Sequence, residues 1–185
     1  MATAYLARWD GPVTETDDPY LDTRHISPNT FPPYGHMQHT IWLPPRASSS
    51  DNDIMKHCLL TYGPVAGDFF YATANYTSST SSIYSDTVNE GNHAVTFVGW
   101  DDNYSRTNFQ AASGMPPGDG AFLFRNSWST DWGQAGYAWI SYYDRNMLQW
   151  AWCHPPLLPT TNYQHIYQYD RLRWTRNFGY DSDTA

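Results

Sequence analysis

His93 and Asn126 are the two residues whose types and spacing point most directly to chemistry. His93 follows Glu90, Gly91 and Asn92 and opens an apolar run from Ala94 to Trp100. Asn126 closes a second run, Ala121 to Arg125, and is followed by Ser127 and Trp128. If both runs are strands and neighbours in one sheet, the two side chains stand together at its rim. A carboxamide oxygen can accept a proton from one imidazole nitrogen. That fixes the ring and leaves its other nitrogen free to exchange a proton with a nucleophile. Trp128 could cover this bond and keep water from it, which strengthens it. A plainer reading competes: a His ahead of a strand is most often part-buried structure, and an Asn behind one is most often a turn residue. Spacing alone does not decide between them.

The elements that must position these residues are legible from periodicity. Ala2, Tyr5, Leu6 and Trp9 fall on one helical face, stopped by Gly11 and Pro12. Residues 13–36 read as loop, and Met37 to Leu43 as a strand ended by Pro44 and Pro45. Ser48, Ser49, Ser50 and Asp51 offer caps to a helix from Asn52 to Tyr62, with Asp51 and Asp53 near its positive end. Ile54, Met55, Cys58, Leu59 and Tyr62 share a face of that helix. Val65 to Tyr71 reads as a strand and the Thr/Ser-rich stretch 73–85 as a loop. Ala94 to Trp100 has the continuous apolar character of a central strand covered on both faces. Strands over 121–125 and 136–143 follow. The pattern predicts an α+β domain with an antiparallel sheet.

The local wording around the two residues adds what spacing cannot. The run Asn92-His93-Ala94-Val95-Thr96-Phe97-Val98-Gly99-Trp100 resembles the histidine motif of papain-like cysteine peptidases of family C1. The run from Arg125 through Asn126, Ser127, Trp128, Trp132 and Gly133 to Tyr137 resembles their asparagine motif, in the same order. Gly63-Pro64-Val65 and the segment from Met1 to Tyr20 are also similar, so the resemblance spans roughly residues 1–145. It implies a papain-like fold, mainly the β-rich right-hand lobe with a remnant helix of the left-hand lobe. The implied organisation is 1–36 as the end of the left-hand lobe and its connecting loop, 37–150 as the right-hand lobe, and 151–185 as an extension or linker. Residues 163–174 resemble the linker to a lectin-like domain in some microbial members. The resemblance implies that His93 is the catalytic base and acid, and that Asn126 orients it. Trp128 then shields their hydrogen bond, Trp132 is a second cleft aromatic, and Asn92 and Ala94 shape a specificity pocket. Ser129 departs from the family's usual glycine.

Such a mechanism needs a cysteine thiolate at a helix amino end and oxyanion donors from a glutamine side chain and a backbone N–H. The resemblance puts both ahead of this sequence, and no Gln precedes a Cys-Trp pair in it. Cys58 falls in mid-helix on an apolar face, where its thiol is expected to be buried and inert. Cys153 adjoins His154, yet neighbours on a strand point to opposite faces. The expectation is a peptidase part that is inactive alone, completed by a chain bearing the Cys lobe. The alternative is a papain-like module that binds peptide or glycan without cleavage; an upstream Ser or Gly in place of the cysteine would mark it.

Composition narrows the partners. The chain has 185 residues, a formal charge of −8, nine Trp and fifteen Tyr. Arg171, Arg173 and Arg176 are its loose basic group, too little for a nucleic-acid footprint. No apolar run approaches a membrane span, and no cofactor is implied. The expected partner is a peptide or protein substrate, and the resemblance favours a secreted or cell-surface setting. Asn75-Tyr-Thr and Asn103-Tyr-Ser fit the glycosylation sequon, and Asp101 with Asp102 could hold a cation or form a solvated turn.

Overall fold

The computed structural model describes residues 2–7, 9, 11–19, 30–110, 112–163 and 165. They form two compact units: residues 41–154, and the segments on either side. The three arginines of the loose basic group lie outside the described residues, as do residues 20–29 of the expected loop and the linker-like stretch from 166 on.

The unit 41–154 is built on one eight-stranded sheet. Its strands are β1 (Ile41–Leu43), β2 (Val65–Phe69), β3 (Tyr76–Thr77), β4 (Ser82–Ile83), β5 (His93–Asp101), β6 (Ala121–Arg125), β7 (Tyr137–Ser141) and β8 (Ala151–Cys153). They lie in the order β1-β8-β2-β5-β6-β7-β4-β3. Every pairing is antiparallel except β4 with β7. The helix α2 (Asp53–Thr61) packs on the sheet through Met55 and Cys58, with Leu59 and Tyr62 partly buried beside them. The sheet supplies Val65, Phe69, Val95, Phe97, Phe122, Phe124 and Ile140 to the same core. Each such side chain contributes roughly 1.5–3 kcal/mol by leaving water.

Several expectations are corrected. Ile54 is 47% exposed and leaves the apolar face of α2. Asn52 stands at the N-cap but makes no capping bond with its side chain. Its amide instead donates to Ser49 O and accepts from Arg46, while Asp51 accepts the Ala47 N–H. The stretch 73–85 holds a 3-10 turn, β3 and β4 rather than loop alone. The expected strand from Met37 begins only at Ile41, and β8 was not anticipated. Strand β5 alternates instead of burying both faces: Val95 and Phe97 are buried, whereas Ala94 is exposed. Of the two sequon asparagines, Asn75 is buried and Asn103 is exposed. Asp102 accepts from Lys56 and from the Tyr142 hydroxyl, so a lysine, not a cation from solution, balances it. Those partners, Lys56 foremost, hold its carboxyl below the usual range.

In the other unit, α1 (Ala2–Ala7) ends before Trp9. Trp9 has φ +62° and leaves the helical face the periodicity assigned it to. Its indole donates to Met37 O at 2.9 Å and stacks on His36 at 4.3 Å and Tyr163 at 5.4 Å. His36 and Leu158 exchange backbone hydrogen bonds of 2.8 and 3.0 Å.

The loop leading to His93 is held by polar side chains from far along the chain. Asp144 accepts the N–H groups of Ser85 and Asn146 at 2.8 and 2.9 Å. Asn146, fully buried, accepts the Asn89 N–H at 2.6 Å and donates to Thr87 O at 2.9 Å. Burial raises the Asp144 carboxyl to about 7, opposed by those N–H donors and by Arg46. Replacing Asp144 with Ala strands two buried donors, and urea unfolding should show a loss on the order of 3 kcal/mol. The folded chain holds the Asp144 proton more tightly than the unfolded chain. As pH rises from about 4 to about 7, the unfolded chain releases this proton first, and this group's contribution to stability falls. The wild-type advantage over D144A should therefore shrink across that window; a gap that widens refutes the assignment.

Candidate active site

Sheet register brings the two motifs together. Thr96 pairs with Arg125 and Phe97 with Phe124. Followed back three residues, this register sets His93 opposite Trp128, just past the end of β6. The chain holds that position because the Asn126 N–H donates to Gly136 O at 2.8 Å, and the Gly136 N–H to Trp132 O at 2.7 Å. The turn is tight enough that a Cβ on Gly133 would lie 2.3 Å from Tyr137 O. Ser129 adopts φ +66° there, a left-handed conformation that costs a non-glycine residue roughly 1–2 kcal/mol. The departure from glycine is thus accommodated as local strain.

His93 Nε2 and Asn126 Oδ1 are 2.9 Å apart. The same oxygen accepts the Ser127 N–H at 2.8 Å. A backbone N–H can only donate, so the atom facing it must be the amide oxygen, and His93 must present Nε2–H to it. The Nδ1 edge of the ring makes no hydrogen bond among the described residues. Asn126 is 7% exposed, and its Nδ2 is buried without a partner among the described residues.

Aromatic rings surround this bond. Trp128 stacks on the imidazole with centroids 4.5 Å apart and planes 26° from parallel. Phe69 and Tyr71 approach it edge-on at 5.6 and 6.3 Å. Tyr71 also meets Trp128 at 4.7 Å, and Trp132 meets Trp128 edge-on at 5.2 Å. Trp132 is in turn stacked on Tyr76 and packed against Phe124. Stacking excludes water from the His93–Asn126 bond and lowers the local dielectric, which strengthens it.

Asn92 bonds both peptide groups of Tyr71. It accepts the Tyr71 N–H at 2.7 Å and donates to Tyr71 O at 3.0 Å, while its own N–H reaches Phe69 O. Its side chain thus continues the β2–β5 ladder by one step and pins Tyr71 against Trp128. Ala94 is exposed and paired with Asp68. Tyr71 was not singled out from the sequence; only its place at the end of a predicted strand, opposite the histidine motif, hinted at it.

Both cysteines sit elsewhere. Cys58 is 3% exposed and Cys153 is 1% exposed, within one hydrophobic cluster. Burial and the neighbouring Cys58 push the Cys153 thiol up to about 12, so it stays protonated at neutral pH. Among the described residues neither thiol hydrogen-bonds His93. No group of three His, Cys, Asp or Glu poised for a metal occurs among them either.

The similarity of the chain to known proteins follows the same lines. The model of the papain family of cysteine proteases matches residues 1–153. A cysteine protease of the mite Blomia tropicalis is 29% identical over 146 residues, covering 75% of this chain and 38% of that protein. The solved structure of the clostridial cysteine protease Cwp84 after propeptide cleavage superimposes with a TM-score of 0.75 at 28% identity. That match covers 85% of this chain and 40% of the other. Bromelain from Ananas comosus, at 18% identity and a TM-score of 0.61, shares the fold over 83% of this chain and 67% of its own. The chain spans about two-fifths of the length of the first two relatives. On the match of its first 153 residues, this protein belongs to the papain family of cysteine proteases.

Proposed function

We propose that this chain is the His/Asn-bearing part of a papain-like cysteine endopeptidase, with its nucleophilic Cys and oxyanion Gln supplied by sequence ahead of it. The 2.9 Å bond between His93 and Asn126 under Trp128 carries the reading. With Nε2–H committed to Asn126, Nδ1 is the nitrogen that exchanges protons. The thiolate attacks a peptide carbonyl and forms a C–S bond. The imidazolium then protonates the leaving amine as the C–N bond breaks, which leaves a thioester. His93 next deprotonates water, which attacks the thioester and releases the thiolate. Asn126 holds the ring throughout. Trp128 and Trp132 wall the site, and Asn92 and Ala94 shape the surface beside it.

The substrate is a peptide or protein. A complementary lobe, on the same polypeptide or a second one, would complete the cleft, and this chain alone is then inactive. A secreted or surface setting accords with Cwp84, described as a surface layer associated protein. Among the described residues no helix is long and apolar enough to cross a membrane.

Reading the coding sequence upstream should reveal a Gln followed shortly by Cys-Trp; Ser or Gly in place of that Cys would favour a non-cleaving peptide binder instead. In the longer protein, His93→Ala should lower kcat/KM for a peptide substrate by about 10²–10⁴. Asn126→Ala, which frees the ring without removing it, should cost up to about 10². Wild-type rates in the His93 variant would end the proposal.

A further inference from the structure

A cavity of about 440 Å³ lies beside the connection between β7 and β8, within the unit 41–154. That volume is in the range of small-ligand sites. The cavity shares no residue with the aromatic cluster around His93. Its walls come from residues 45–49 ahead of α2, from Tyr84 and Val88 in the loop after β4, from Pro117, and from the β7–β8 connection. Val88, Pro117 and Met147 give it apolar surface, while Arg46, Tyr84 and Arg145 give it donors.

A purely structural role accounts for part of Arg46. Its guanidinium donates from Nη1 to Asn52 Oδ1 at 2.7 Å and from Nη2 to Tyr142 O at 3.0 Å. These bonds tie the segment before α2 to the end of β7, and both acceptors are neutral. Nε–H is buried without a partner among the described residues. No carboxylate among them forms an ion pair with Arg46. Burial lowers the proton affinity of the guanidinium, so holding the charge there has a cost. Asp144 and Asp51 act on it only through space. The Asp144 oxygens are committed to the N–H groups of Ser85 and Asn146, and Asp51 accepts the Ala47 N–H. Burial raises the Asp144 carboxyl to about 7, so below neutrality it is largely uncharged and leaves the Arg46 charge in place. Tyr84 adds a hydroxyl with no hydrogen bond among the described residues, on a side chain only 5% exposed. Donors without acceptors, next to apolar surface, suit a ligand with an anionic head and an apolar body.

We propose that this cavity is a binding site for a small organic carboxylate carrying an apolar tail. The carboxylate meets Arg46 and the Tyr84 hydroxyl, and the tail lies along Val88, Pro117 and Met147. The charged and titratable groups around Asp144 are Arg46 and Asp51 from the segment before α2, Tyr84 and Asp86 from the loop after β4, and Tyr142 and Arg145 from its own stretch of chain. As pH rises through about 7, Asp144 gains a negative charge that repels the ligand, so affinity falls. The site stands apart from the peptidase proposal, since His93 takes no part in it.

Binding to the 185-residue chain tests this. The backbone amide resonances of Arg46, Val88 and Gln149 are followed at about pH 6 while acetyl-leucine, acetyl-leucine amide and inorganic phosphate are each titrated. Acetyl-leucine should bind at least about tenfold more tightly than its amide, which lacks the charge, and than phosphate, which lacks the tail. Arg46→Gln should bring acetyl-leucine and its amide within about twofold. That variant also gives up two structural bonds, so Val88→Trp serves if it fails to fold. Val88 is 62% exposed, and an indole there fills the cavity from its open side. V88W should weaken acetyl-leucine at least about tenfold. Moving the wild-type chain from about pH 6 to about pH 8.5 should weaken acetyl-leucine at least about threefold and leave the amide unchanged. No shift at the three amides, equal affinity for acid and amide, phosphate binding as tightly, or acetyl-leucine affinity unaltered by V88W or by pH would overturn the assignment.

Discussion

Asn126 Oδ1 accepts two N–H groups at once, from Ser127 and from His93, and the rest of the site follows from that double acceptance. The Ser127 bond prevents the amide from turning over, because its NH₂ would then face another donor. With the oxygen pinned, the imidazole has one tautomer and one orientation to offer a neighbour, or it carries both protons. Trp128 closes the flank from which water would compete. The arrangement tolerates a residue with φ +66° at Ser129 and an Asn126 Nδ2 that has no partner among the described residues. Each costs something, and both sit beside the same bond. Strain gathered around one interaction is what functional geometry leaves in a fold.

The sheet makes that bond possible through register. A slip of one residue between β5 and β6 would send His93 to the opposite face and leave Asn126 facing a different side chain. The match of Phe97 with Phe124, both fully buried, resists such a slip. The irregularity between Phe97 and Gly99 lies farther along, so it bends the strands without disturbing the rim. The loop that delivers His93 is fixed separately by Asp144 and Asn146, about sixty positions later in the chain. Position along the strand and the path into it are thus secured by different parts of the sequence.

How much of this was visible beforehand depended on how local the cause was. The apolar runs of β5, β6 and β7 are long enough to identify themselves, and the words around His93 and Asn126 are contiguous. Strands β3 and β4 hold two residues each, inside a Ser/Thr-rich stretch. They exist because Ser82 and Ile83 pair with Trp139 and Ile140 of β7, and because Ser82 and Thr80 bond Asn108 O. Nothing in their own composition says so. Strand β8 is three residues long and is defined by partners on both sides, β1 and β2. The staple from Asn146 spans 57 positions, and Asn92's grip on Tyr71 spans 21. Ile54 and Trp9 failed for the opposite reason. Periodicity places them on apolar faces, but α1 ends at Ala7, before Trp9, and Ile54 lies on the exposed side of α2.

The exchange of hydrogen bonds between His36 and Leu158, with the Trp9 indole between His36 and Tyr163, has a temporal side. Residues 41–154 hold all eight strands and can begin to close as soon as they leave the ribosome. The segment around Trp9 and His36 precedes those strands in the chain and yet cannot be capped until residue 158 has been made. At roughly 5–20 residues per second, that interval is on the order of ten seconds. During it, the Trp9 indole lacks Tyr163 and the backbone at residue 36 lacks Leu158.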